Sequence, residues 1–296
     1  MNRRTHSGLW LLAAIALLPA CASRQSANDL PETRSRVLIT YNVRVDVTSD
    51  GEHAWPHRAD RVAALLRFHQ ADIAGLQEAK KNQIDDLVDR LPEYDWYGVG
   101  RDDGVEGGEF VPVFYRRDRF TPVDRGAFWL SSAPDSAGSV GWDAALPRVT
   151  TWVLMEDNRG QRFYLYNTHF DHRGDTARVE SAKLLRRIIE SRESAAPAIL
   201  MGDFNARPDE EPYGVITASG GGSIVLRDLA ATVTDPYGPD LTFGSFEVGN
   251  EEDGRIDYIF ATPGVSVIRA GVLTDQLRGH YPSDHLPVLA EIKLMK

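Results

Sequence analysis

The chain has 296 residues, of which 42% are hydrophobic and 26% charged, ordinary proportions for a soluble globular protein. Its formal net charge is −10, and −12 once Arg3 and Arg4 leave with the first 20 residues. That balance disfavours tight binding along an extended phosphate backbone by bulk charge, although a bound cation can reverse the field inside one site.

The N-terminus reads as a targeting leader. Arg3 and Arg4 precede the apolar run Leu9–Leu18, which is too short to span a bilayer comfortably at ~20 residues. The run ends in Leu18-Pro19-Ala20-Cys21, which resembles a bacterial lipoprotein processing box with Cys21 as the acylated residue, Pro19 being the departure. Residues 1–20 are therefore expected to be a signal peptide, and residues 21–35 a polar, flexible spacer that attaches the protein to a membrane through a lipid. Ordinary secretory cleavage is the alternative; export is expected either way. Cys21 is the single cysteine, so the folded part has no disulfide. Residues 36–296 show no second linker and no internal repeat, and one catalytic domain is expected there, acting as a monomer.

Along that domain short apolar runs alternate with amphipathic segments. Val37–Tyr41 is apolar on both faces, like a strand buried between layers. From Arg58 to His69 the residues Val62, Leu65, Leu66 and Phe68 are expected on a buried helical face, with Arg58, Asp60, Arg61 and Arg67 between them. Ala71–Leu76 returns as a strand, and Asn82–Leu91 reads as a helix that Pro92 helps to stop. Val111–Tyr115, Val149–Met155 and Phe163–Thr168 read as strands, the last two joined by the turn Asp157-Asn158-Arg159-Gly160. Arg178–Glu193 forms a helix that buries Val179, Ala182, Leu185, Ile188 and Ile189. Ala198–Met201, Ile256–Ala261 and Val288–Ile292 supply further strands. This mixture predicts an α/β fold of the α+β type, with two packed, mixed β-sheets flanked by helices in a four-layer α/β/β/α sandwich.

Polar residues cluster where these strands end. Asn42 and Glu78 follow the first two strands. His169 and Asp171 follow Phe163–Thr168, and Asp203 and Asn205 follow Ala198–Met201. Asp257 opens a strand, and Asp284 and His285 precede the last one. Any one of them would be an ordinary turn residue; together they suit one reaction. Oxygen ligands from Glu78, Asp284 and Asn42 suit Mg²⁺, with Mn²⁺ as a substitute, better than zinc. His169 and His285 can donate to phosphate oxygens, and Asp203 can orient or deprotonate water. That inventory supplies the positioning and charge neutralisation that phosphoryl transfer needs.

Thr40-Tyr41-Asn42-Val43, Leu76-Gln77-Glu78, Asn167-Thr168-His169-Phe170-Asp171, Gly202-Asp203-Phe204-Asn205, Arg255-Ile256-Asp257-Tyr258-Ile259 and Ser283-Asp284-His285-Leu286-Pro287 resemble, in order, the motifs of the endonuclease/exonuclease/phosphatase superfamily. The resemblance implies Glu78 as principal metal ligand with Asn42 and Asp284 close to the metal. It also implies that Asp203 activates water, Asn205 holds the water or a phosphate oxygen, and His169 contacts phosphate. His285, paired with Asp257, would stabilise the pentacovalent centre. Some relatives carry an acid two places after the motif asparagine; here Arg44 stands there, which puts a second metal on that side in doubt.

Glu106–Tyr115, and Gly141-Trp142-Asp143 with Arg148, resemble the branch that holds small secreted bacterial members and deadenylase-like enzymes. By that likeness Glu109 and Arg148 border the substrate, with Arg148 a phosphate clamp, while Asp171 is expected to contact substrate, the alternative being that Asp171-His172-Arg173 merely shapes a turn. A loop charge or a surface ion pair is the plain alternative for Glu109 and Arg148. Trp142 is expected to fill a gap between the sheets. His53, His57 and His69 read as solvated or capping rather than metal-binding. His172 is expected beside the site, His280 and Tyr281 at the cleft rim, and Glu251-Glu252-Asp253 in a solvated loop. The expected substrate is a small phosphomonoester or phosphodiester. Alternatives are nucleic acid, which the net charge does not favour, a sphingomyelin-like headgroup, and a binding protein without catalysis.

Overall fold

Most of the β-branched and aromatic runs form strands, and where they pair sets the strand order of the sheets. In the computed structural model, which describes Met1 and residues 35–219, 224–249 and 254–295, the strands are β1 (Arg36–Asn42), β2 (Ile73–Gln77), β3 (Tyr94–Tyr97), β4 (Val113–Arg116), β5 (Phe120–Trp129), β6 (Val149–Asp157), β7 (Arg162–His169), β8 (Ala198–Asp203), β9 (Arg227–Asp228), β10 (Asp257–Ala261), β11 (Val265–Val272) and β12 (Val288–Leu294). The helices are α1 (Ala59–Phe68), α2 (Lys81–Arg90), α3 (Asp175–Glu190) and α4 (Glu211–Thr217). The leader, Cys21, the spacer through residue 34 and Glu251-Glu252-Asp253 lie outside the described residues.

Two six-stranded sheets result, in the orders β11-β12-β1-β2-β4-β3 and β5-β6-β7-β8-β10-β9. Both are built on one plan. In each, a single parallel pair stands at the centre, β1 beside β2 and β7 beside β8, with antiparallel strands on either side. A helix makes each parallel crossover, α1 in the first sheet and α3 in the second, as a parallel connection requires. No repeat in the sequence announces this duplication.

The sheets pack face to face through Leu38, Ile73, Val113, Val153, Met155, Leu165, Ile199, Met201, Val288 and Ile292. Alternate residues of the same strands point outward. Ile39, Tyr41, Ala74 and Leu76 meet Val62, Leu66, Ile84 and Leu87 of α1 and α2. Tyr166, Leu200, Tyr258 and Phe260 meet Leu185 and Ile189 of α3 and Ile216 of α4. Strands covered on both faces explain the continuous apolar runs, and the four-layer sandwich is the observed architecture.

Near one end the two sheets are joined by polar side chains with no solvent exposure. Gln77 donates to Asn167 Oδ1 at 2.7 Å and to Thr40 Oγ1 at 3.0 Å, while Asn167 donates to the carbonyls of Leu76 and Pro112 at 2.8 and 2.9 Å. The amide N–H groups of Gln77 and Asn167 all have partners, while Gln77 Oε1 has none, and these cross-sheet bonds tie the two sheets in one register.

Several expectations are corrected. Phe68 is 78% exposed, because α1 ends there and its side chain turns away from the sheet. Trp142 fills no gap between the sheets: it is 38% exposed, at φ 52°, on a surface loop. On α3, Val179 and Ile188 are only half-buried, whereas Ala177 and Leu184 are buried. Arg58, expected on a polar face, is 2% exposed. Its guanidinium donates to the carbonyls of His53, Val43, Pro282 and Arg44 at 2.5 to 3.2 Å, and lies over the rings of Trp55 and Phe246. Arg58→Ala would strand these buried carbonyls, and it is expected to lower unfolding free energy by about 3 kcal/mol or more. A urea midpoint unchanged from wild type would contradict that role.

Candidate active site

The motif residues meet because the parallel strands of both sheets end at the same edge. Asn42 closes β1 and Glu78 follows β2 beside it. In the other sheet His169 ends β7 opposite Asp203 at the end of β8, and Asp203 faces Asp257 at the start of β10. The segment Ser283-Asp284-His285, entering β12, completes the ring next to β1, where Ser283 Oγ donates to the Asn42 carbonyl at 2.7 Å.

Between them lies a cavity of about 270 Å³, lined by Arg44, Val45, Glu78, Arg101, Glu109, Leu146, Arg148, His169, His172, Asp203, Asn205, Phe243, Asp284 and His285. Arg44, Glu78 and Asn205 in its wall hold positive φ angles of 57°, 62° and 46°. Non-glycine residues in that region cost on the order of 1 kcal/mol or more each and persist where surrounding contacts hold them. Here Val45 N–H donates to Glu78 Oε2 at 2.9 Å, and Asn205 N–H donates to Asp203 Oδ1 at 2.9 Å.

Asn42 is the hinge of the polar network. Its Nδ2 donates to Glu78 Oε1 at 2.9 Å and to Asp203 Oδ2 at 3.0 Å, while its Oδ1 accepts the Arg44 N–H at 3.0 Å. The nitrogen, not the oxygen, faces the acids, so Asn42 orients Glu78 and Asp203 in this arrangement. The carboxylates left facing the cavity on this side are Glu78 and Asp284. Burial and the nearby Glu78 charge push the Asp284 carboxyl up. Burial likewise works against ionised Glu78, but His285, the Asn42 amide and Val45 N–H together hold it below its ordinary value. Two buried, mutually repelling oxygen donors at a cavity wall suit a hard divalent cation.

His285 Nδ1 lies 2.9 Å from Asp257 Oδ2, and its Nε2 lies 3.8 Å from Asp203 Oδ2. Burial disfavours the imidazolium, yet Asp257, by charge and hydrogen bond, and Asp203 outweigh it and push His285 up to about 10. Asp203 moves the other way from a typical aspartate: burial and the Asp257 charge raise it to about 7, against the pull of His285 and its two amide donors. Burial and the guanidinium charges of Arg148 and Arg101 hold His169 well below its ordinary value. These environments favour the cationic form of His285 and the neutral form of His169. His169 Nε2 sits 3.1 Å from Asn205 Nδ2 and 3.4 Å from Asp203 Oδ2.

Opposite the acids the wall is cationic. Arg148 is 4% exposed, approaches His172 Nδ1 at 2.9 Å through Nη2 and Asp171 Oδ2 at 3.4 Å through Nε, and its Nη1 has no hydrogen-bond partner. Asp171, expected to contact substrate, does not line the cavity. Its Oδ1 accepts the N–H groups of Arg173 and Gly174 at 2.9 and 2.8 Å, and its Oδ2 faces Arg148. It shapes the turn into α3 and steadies the guanidinium. His172 does line the cavity; His280 and Tyr281 do not. Sequence reasoning missed Arg101, which lines the cavity and pairs with Glu109 at 2.6 Å. It sits in a glycine-rich loop outside any motif, so no local signal singled it out. Burial, and the charge of Glu78, raise the Glu109 carboxyl although Arg101 opposes them.

The family model for the endonuclease/exonuclease/phosphatase family matches residues 39–285. The chain belongs to that family. Its members are divalent-metal-dependent hydrolases of phosphoric esters, and this chain shares their two-sheet fold. An endonuclease/exonuclease/phosphatase family protein of Bacteroides thetaiotaomicron is 37% identical, with a TM-score of 0.84 over 90% of this chain and 100% of that one. A mannosyl-6-phosphatase of the same organism is 38% identical, with a TM-score of 0.82 over 87% of this chain and 99% of that one. Nocturnin of Rattus norvegicus is 32% identical over 264 residues, covering 80% of this chain and 58% of its own length. The chain spans about three fifths of the length of the curated relatives it matches.

Proposed function

We propose that this family member is an exported, Mg²⁺-dependent phosphatase of small phosphomonoesters, with a sugar 6-phosphate as the first candidate substrate. The observation that carries the reading is the cavity: at about 270 Å³ it lies at the small end of ligand pockets, and its inner wall holds a buried guanidinium nitrogen on Arg148 without a partner. A phosphate group would suit the Arg148 guanidinium in that wall, and Leu146 and Phe243 offer apolar edges to a compact leaving group. The 38% identity to a mannosyl-6-phosphatase supports a sugar phosphate.

In this reading Glu78 and Asp284 hold the Mg²⁺, with Mn²⁺ as a substitute, and Asn42 orients Glu78 toward it. The bound ion supplies Lewis-acid neutralisation of phosphate charge. The chain's own residues do the rest. Asp203, titrating near neutrality, accepts a proton from the attacking water, and Asn205 fixes that water or a phosphate oxygen. His285, kept cationic by Asp257, donates to the oxygen on which charge builds up. Arg148 grips the phosphate and Asp171 steadies Arg148; neutral His169 places Asn205 and contacts the ester. Glu109 holds Arg101 at the rim. The leader and Cys21 place the enzyme outside the cytoplasm on a lipid anchor, and no second subunit is invoked.

The deciding experiment is hydrolysis of mannose 6-phosphate, glucose 6-phosphate, a bis-aryl phosphate, single-stranded DNA, RNA and sphingomyelin, with Mg²⁺, with Mn²⁺ and with chelator. Sugar phosphate should turn over fastest, chelation should abolish turnover and Mg²⁺ should restore it. Faster cleavage of RNA or DNA would make the enzyme a nuclease instead, and activity that survives chelation would remove the metal from the scheme. Arg148→Ala should lower kcat/KM for the preferred ester by about 10- to 100-fold, the loss of a charge-assisted hydrogen bond to phosphate. Arg148→Lys should recover only part of it, because an ammonium cannot form a planar fork.

A further inference from the structure

Away from that cavity, His53, Glu247 and His280 meet from three separate segments. His53 ends the short 3-10 segment Thr48–His53 after β1; Glu247 follows the cavity residue Phe243; His280 precedes Ser283-Asp284-His285. Glu247 Oε1 lies 3.2 Å from His53 Nε2 and 2.8 Å from His280 Nδ1. One ligand atom from each of the three falls within 4.8 Å of the others. Around an ion bound at about 2.0–2.2 Å, neighbouring donor atoms stand roughly 3.0–3.5 Å apart. Small side-chain shifts would therefore bring this trio onto one metal.

The surroundings favour such a site. The three side chains are 20%, 42% and 32% exposed, so an ion can enter and water can complete its shell. The His53 ring is fixed in plane by stacking on Phe246, with centroids 4.6 Å apart and an interplanar angle of 2°. Phe246 in turn lies against the buried Arg58 guanidinium. The backbones are already held together: Tyr281 N–H donates to the Phe246 carbonyl at 2.7 Å and Gly244 N–H to the Asp284 carbonyl at 3.0 Å.

We propose that His53, Glu247 and His280 form a second metal site, selective for a transition metal of the zinc class. Two imidazoles and one carboxylate match zinc, whereas Mg²⁺ prefers oxygen ligands such as those of Glu78 and Asp284. Sequence reasoning set His53 aside as solvated or capping, because its partners lie far along the chain. An ion here ties the Phe243–Glu247 segment to the segment that carries Asp284 and His285. Phe243 packs against His285 in a tilted arrangement, with centroids 4.9 Å apart and an interplanar angle of 51°, so the site clamps one wall of the cavity without touching substrate.

The test is zinc binding by the full chain in excess Mg²⁺, measured by equilibrium dialysis with elemental analysis and by thermal melting. Wild type should retain a zinc ion that Mg²⁺ does not displace, and zinc should raise its melting temperature. His53→Gln and His280→Gln should each weaken that binding beyond the roughly 10- to 100-fold that loss of an outer-sphere partner produces. Both should abolish the thermal shift while keeping the wild-type circular dichroism spectrum. Asp284→Asn, at the Mg²⁺ side of the cavity, should keep the zinc. Equal zinc retention in wild type and both histidine variants, zinc lost to Mg²⁺, or no zinc bound by wild type would each overturn the site and leave a hydrogen-bonded trio.

Discussion

Asp203→Asn is expected to lower kcat by about 10²- to 10⁴-fold while leaving the protein folded, the range that loss of a positioned general base produces, although its single amide oxygen cannot keep both the Asn205 and the Asn42 hydrogen bonds. The variant is chosen for what it preserves. Asparagine can still accept the Asn205 N–H, which now meets Asp203 Oδ1 at 2.9 Å, and it keeps the side chain's volume among strands that leave Asp203 1% exposed. It cannot take a proton. It also removes one of the two carboxylates beside His285, leaving Asp257, at 2.9 Å, to sustain the imidazolium. Steady-state kinetics with the preferred ester, beside a urea melt, separates the outcomes. Loss of turnover at an unchanged midpoint assigns Asp203 to chemistry. Turnover within tenfold of wild type would remove it from that role and shift the water-activating step to His169.

The second large effect is on folding. Gly202, at φ 148°, lies opposite Thr168 in the β7–β8 pair, and a Cβ there would stand 2.0 Å from the Thr168 carbonyl oxygen. No rotamer relieves that clash, because both atoms belong to the backbone framework. Gly202→Ala must therefore separate the central parallel pair of the second sheet, and a loss of more than about 4 kcal/mol of unfolding free energy is expected. The next register pair is His169 with Asp203, so whatever fraction folds should also be slow. A urea midpoint within error of wild type would show that the pair accommodates the methyl group and that the glycine is not required.

The motif residues were legible because the sequence reports strands and their ends directly: apolar runs stop, and the residue after the stop faces the open edge. Asn42, Glu78, His169 and Asp203 follow from that one regularity, and Asp284 from its counterpart, a polar residue just before a strand begins. What escaped lies in contacts between segments far apart. Arg58 reads as a surface charge until Pro282, 224 positions away, is found to accept from it. Gln77 and Asn167 sit inside motifs already noted, yet their task is to join two sheets, which no periodicity expresses. Asp171 belongs to a motif and still turns inward, because backbone N–H groups of the following turn claim one oxygen. Strand β5 was missed since Pro122, Asp124 and Arg125 break its alternation at a sheet edge, and β11 since its register shifts between Val267 and Arg269. Trp142 and Phe68 were misjudged because an apolar side chain is informative about burial only in a continuous face.

The duplicated strand plan places the reaction on a seam. One half of the molecule brings Glu78 and Asp284, the other brings His169, Asp203 and Asp257, and neither half holds a complete centre. The enzyme thus resembles a two-fold dimer whose active site straddles its interface, except that a single chain supplies both protomers. Small slippage of one half against the other would directly change the separation between the groups proposed to hold the cation and the group proposed to activate water. The Gln77–Asn167 junction, placed at the catalytic end of the seam, sets that separation where the chemistry depends on it.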